Sequence, residues 1–87
     1  MSVDLIELKM RLDRLDRQAG SPWVPSTLIL VERYPGVNLA AISRQSGIDL
    51  RACKSRMRTL ADLGVIERSG DRQQLTALGT TLLHGAE

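Results

Sequence analysis

Apolar residues recur at helical spacing near the start of the chain, where Leu5, Leu8, Leu12 and Leu15 follow one another at steps of three, four and three. That spacing predicts a helix from about Val3 to Gln18, capped by Ser2 and ended at Gly20. Glu7 with Arg11 and Asp13 with Arg17 form acid-before-base pairs four residues apart on its solvated side. A narrow leucine stripe has two outlets, the rest of its own chain or the same stripe on a second copy. We expect the second, which makes residues 1–20 a dimerisation element with Leu5, Leu8, Leu12 and Leu15 as its contacts.

Gly20, Ser21, Pro22 and Pro25 then interrupt the pattern as a connector. A short, very apolar helix is predicted over Thr27 to Arg33, capped by Ser26 and stopped by Tyr34-Pro35-Gly36. Asn38 caps a third helix, Leu39 to Gln45, with Leu39 and Ile42 inward. Gly47 turns the chain, and Asp49 caps a fourth helix from Leu50 to Leu63 that ends at Gly64. Val65 to Arg68 has strand character, Ser69 to Arg72 has turn character, and Gln73 to Leu75 returns as a partner strand. Thr76 caps a last helix, Ala77 to Leu83. Two helices joined by a short glycine-containing turn and followed by a hairpin predict a mainly α fold with a small β-hairpin, a winged helix-turn-helix with an extra N-terminal helix. Residues 21–87 form the winged helix-turn-helix unit of this reading.

Composition narrows the possibilities. Eighty-seven residues suffice for one core, and 43% hydrophobic with 25% charged residues is a globular balance. The formal net charge is only +2, but its distribution is uneven. Residues 1–20 hold four acids and four bases, whereas residues 44–74 hold seven bases and four acids. The single cysteine, Cys53, excludes an intramolecular disulfide and a cysteine-rich zinc site, and His84 has no second ligand at metal-binding spacing, so no metal is expected. The absence of an export signal and of an 18-residue apolar run predicts a cytoplasmic protein with no membrane partner. With no glycine-rich phosphate loop, no nucleophile beside a base and no paired carboxylates, neither a cofactor nor enzymatic activity is expected.

The basic excess has a definite place. If Cys53, Met57 and Leu60 face the core, Arg51, Ser55 and Arg58 lie opposite, with Lys54 alongside. Such a face can reach phosphates, and an arginine can donate in bidentate fashion to a guanine edge, so double-stranded DNA is the expected partner. Arg72, with Gln73 and Gln74 beside it on the hairpin, and Arg44 and Gln45 at the end of the third helix, are expected to contact DNA around this centre. Arg56 falls between the buried and exposed faces, Trp23 is read as a packing anchor under the first helix, and Cys53 as inert core filler. The alternative is a protein-interaction adaptor that uses the same fold to bind a host regulator.

The stretch from Ser26 to Leu83 resembles the MarR family of regulators, and more loosely the ArsR family. The resemblance is carried by Ile42-Ser43-Arg44-Gln45-Ser46-Gly47-Ile48, by Leu60-Ala61-Asp62-Leu63-Gly64-Val65-Ile66-Glu67-Arg68, and by Asp71-Arg72 followed by Leu75-Thr76-Ala77-Leu78-Gly79. It implies a winged-helix fold, a double-stranded DNA ligand, a homodimer and regulation of transcription, with a repressor as the expected form. By the same resemblance Arg51, Lys54, Ser55 and Arg58 lie on the recognition helix and Arg72 is the wing arginine. Ser43, Ser46 and Arg56 depart from the family pattern, and the wing is several residues shorter. The long terminal helices that frame an effector pocket are largely missing from the sequence, so no small-molecule effector is expected.

Overall fold

The computed structural model describes residues 4–84. Among the described residues five helices and three short strands follow one another as α1 (Leu5–Ala19), α2 (Trp23–Arg33), β1 (Val37–Asn38), α3 (Leu39–Ser46), α4 (Leu50–Asp62), β2 (Ile66–Ser69), β3 (Arg72–Leu75) and α5 (Ala77–His84). The mainly α winged helix-turn-helix fold expected from the sequence is the one observed, with an added third strand.

Most boundaries are set by the residues at them. Asn38 accepts from the Ala41 N–H at 2.8 Å and Asp49 from the Ala52 N–H at 2.7 Å, which satisfies amides that have no partner within α3 and α4. Gly20 and Gly47, at φ of 76° and 70°, close α1 and α3 in the left-handed region. Two starts differ from expectation. The cap of α1 is Asp4, whose carboxylate accepts from the amides of Ile6 and Glu7, while Ser2 and Val3 lie outside the described residues. Helix α2 begins at Trp23, four residues before Thr27. The carboxylate of Asp16, on α1, accepts from the Val24 N–H at 2.8 Å, and Pro25 falls within the first turn, where its missing N–H leaves nothing unpaired. Ser26, expected as the cap, donates its hydroxyl to the Trp23 carbonyl.

The core gathers Leu28 and Val31 from α2, Ile42 from α3, Cys53, Met57 and Leu60 from α4, and Val65 and Ile66 from the start of the hairpin. Leu8 and Leu12 of α1 are buried in the same core, and Leu15 packs against it. Three leucines of the stripe are thus covered by their own chain, because the early start of α2 brings Trp23, Val24 and Leu28 under α1, while Leu5 is half-buried and stands outside this core. The large apolar side chains that α1 leaves in water are Ile6 and Met10, 73% and 60% exposed.

The sheet has the order β1-β3-β2, antiparallel throughout. Val37 pairs with Gln73 and Asn38 with Arg72 on one side of β3, while Ile66, Glu67, Arg68 and Ser69 pair with Leu75, Gln74, Gln73 and Arg72 on the other. The wing therefore turns in two residues, Gly70 and Asp71, and β3 is its central strand. Helix α5 folds back under the hairpin. The Thr76 hydroxyl donates to the Gly64 carbonyl at 2.6 Å and accepts from the Gly79 N–H at 3.1 Å, holding the helix against the chain ahead of β2.

Candidate nucleic-acid interface

The turn between α3 and α4 is held by three local devices. Gly47 supplies the left-handed residue, the Ser43 hydroxyl donates to the Ile48 carbonyl across the turn, and Asp49 caps α4. A fixed turn fixes the rotation of α4 about its axis. Cys53, Met57 and Leu60 face inward and are buried, so Arg51, Lys54, Ser55 and Arg58 project into solvent together. This is the arrangement the spacing predicts.

The ion pairs among the described residues join Arg11 to Glu7 and Arg17 to Asp13, and the His84 ring nitrogen shares a hydrogen bond with the Glu32 carboxylate. None takes up Arg51, Lys54 or Arg58, so three cations on one helix face keep their full hydrogen-bonding capacity for a ligand. Arg51 stands in the first turn of α4, beside the amide-rich end of the helix, where an anion is favoured twice over. Arg44 and Gln45, in the last turn of α3, are exposed beside this unit.

On the wing the expected residues separate. Arg72 is exposed and shares the outer face of the sheet with its direct partners Asn38 and Ser69, and its Nη1 donates to the Gly36 carbonyl at 3.2 Å. Gln73 is not available to a ligand. It is fully buried on the inner face, where its Nε2 donates to the Asp71 carbonyl. Alternation along β3 is the reason, since Leu75 packs against the core and Gln73 lies two residues before it. Gln74, on the outer face opposite Glu67, is the exposed glutamine of the pair. Arg68 is opposite Gln73 on the inner face and is half buried.

Arg56, Trp23 and Cys53, next to this basic face, act through packing. The guanidinium carbon of Arg56 sits 4.8 Å from the centre of the Trp23 ring, which assigns this arginine to a cation–π contact between α4 and α2. The Trp23 indole also donates to the Leu15 carbonyl at 3.3 Å, so the ring ties α1 to the same contact. Cys53 lies under α4 with its thiol 3.7 Å from the Leu39 carbonyl. Burial pushes the thiol above its ordinary range, with Arg56 pulling weakly in the other direction. Sequence periodicity missed β1, because two residues are too few for alternation to register, and it missed the exposure of Leu50 at the first position of α4.

Residues 27–67, from α2 to the start of the wing, match the family described as winged helix-turn-helix DNA-binding. The sequence has no match among curated proteins. Among solved structures it is similar to a MarR family protein of Mycobacterium tuberculosis, with a TM-score of 0.69 and 22% identity over 91% of this chain. The chain spans 61% of the length of that protein. Fold, element order and the matched segment agree: the chain has a winged helix-turn-helix fold, similar to that of the MarR family protein.

Proposed function

We propose that this chain is a non-enzymatic transcription regulator that binds double-stranded DNA by laying α4 in the major groove. The observation that carries the reading is the unpaired outward face formed by Arg51, Lys54, Ser55 and Arg58. A helix of this width fits the groove, its N-terminal residues meet base edges, and its cations neutralise phosphates. Arg51 is the base-reading candidate, while Lys54 and Arg58 are phosphate contacts with Ser55 between them. Arg44 and Gln45 touch the backbone from α3, and Arg72 reaches a flanking phosphate from the wing.

The regulator acts in the cytoplasm as a homodimer joined through α1, so that two copies of α4 meet successive turns of one duplex face. Because Leu8 and Leu12 are spent on the chain's own core, the surface α1 offers a second copy is the one bearing Ile6 and Met10. Repression is the form that asks least of the molecule, since occupying the duplex is enough to block a promoter. The test is a titration of random-sequence duplex at low salt, followed by selection of a preferred site. Affinity that falls steeply with salt supports the reading, and a lack of affinity at low salt favours the protein-adaptor alternative.

A further inference from the structure

Helix α4 carries one large apolar residue that the core does not use. Leu50, its first residue, is 54% exposed, whereas Cys53, Met57 and Leu60 are all buried. A lone exposed leucine is ordinary on a protein surface. Here it overhangs the end of the buried stripe, three and seven residues before Cys53 and Met57, and it also adjoins Arg51 and lies one turn before Lys54, at the end of the helix proposed to meet base edges. Its base is rigid, because Asp49 caps the first turn through the Ala52 N–H and the Ser43 hydroxyl clamps the Ile48 carbonyl just ahead of it. Helical side chains lean toward the N-terminus, so the isobutyl group reaches beyond the first turn of α4.

We propose that Leu50 is a specificity-determining residue that packs on the C5-methyl group of a thymine in the major groove. The inference rests on the DNA-binding reading above. Leucine has neither donor nor acceptor, so placing it against phosphate or a polar base edge would strip water from those groups and return nothing. The floor of the major groove presents one apolar group, the thymine methyl, and aliphatic side chains are its complement. Arg51 and Leu50, adjacent in sequence, would then read neighbouring base pairs, one by hydrogen bonds and the other by shape. The same methyl stands on 5-methylcytosine, so a cytosine methylated at that position should be accepted in place of thymine.

The test uses the full chain and a duplex selected from a random library, in which each thymine in turn is replaced by uracil, which lacks only the methyl group. Binding is read by fluorescence anisotropy for the wild type, Leu50→Ala and Leu50→Met. The wild type should lose about four-fold in affinity at one position per half-site, the worth of one buried methyl-sized group. Leu50→Ala should be insensitive to the same replacement, and Leu50→Met, which keeps an aliphatic chain, should remain sensitive. A wild type indifferent to every uracil, or an alanine variant that loses as much as the wild type, overturns the proposal while leaving DNA binding intact. Failure to bind any duplex at low salt is a separate result that removes the DNA reading and this proposal together.

Discussion

The guanidinium of Arg56 stacks over the ring of Trp23, with 4.8 Å between the guanidinium carbon and the ring centre, and so fastens the helix bearing the basic face to the junction of α1 and α2. Arg56→Ala should lower stability by about 0.5–2 kcal/mol, the range for a partly desolvated cation–π contact. Affinity for duplex should stay unchanged at temperatures where the variant is folded. Urea denaturation of Arg56→Ala, Trp23→Leu and the double variant measures the coupling directly, and additive losses would dissociate the two residues.

Gly79 packs against the backbone ahead of β2. A Cβ at this position would stand 2.1 Å from the Val65 carbonyl oxygen, which belongs to a buried backbone segment and cannot swing aside. Gly79→Ala should therefore destabilise the chain by about 3 kcal/mol or more, at the upper end of overpacking effects. Replacing Gly47, whose Cβ would meet nothing within 4 Å, should cost only the strain of its left-handed backbone, about 1 kcal/mol. Thermal unfolding of the two variants orders them.

Much of this architecture is legible because its signals are local. Asn38, Asp49 and Thr76 announce helix starts within three residues of the amides they serve, and Gly20 and Gly47 mark the ends. The outward face of α4 follows from the spacing of Cys53, Met57 and Leu60. What escaped depends on partners distant in sequence. The start of α2 is capped by Asp16 from another helix, and β1 exists only because β3 lies beside it. The destination of the leucine stripe turns on whether α2 reaches it, which the stripe's own spacing does not encode. For Gln73 a usable signal was present, since counting back by two from Leu75 puts it on the inner face.

Burial of Gln73 and exposure of Arg72 give opposite expectations for residues adjacent on one strand. Gln73→Leu should leave duplex affinity and its salt dependence unaltered. Arg72→Ala should weaken binding to all sequences alike and reduce the slope of log affinity against log salt by about one. Salt titrations of both variants on one duplex separate a structural glutamine from a phosphate-binding arginine.

Cys53 is fully buried, and its thiolate is disfavoured in the fold. Alkylation at neutral pH should be slower than in denaturant by a factor on the order of 10³, because the reagent must wait for the chain to open. The folded thiol ionises at higher pH than the unfolded one. Its burial therefore contributes stability that is fully present below the ordinary thiol range and declines as pH rises through it. Cys53→Ala should lose that alkaline decline, which denaturation midpoints across the range will show.

The face of Arg51, Lys54 and Arg58 is tested most directly by salt-dependent duplex binding of the wild type beside Arg51→Ala and Lys54→Ala. The wild type should show a steep negative slope and Lys54→Ala a slope smaller by about one, with all sequences weakened alike. Arg51→Ala should lose about 1–3 kcal/mol on a selected site and relax preference at one base pair. Binding that ignores both substitutions, or no binding to duplex at low salt, would contradict this role for the face.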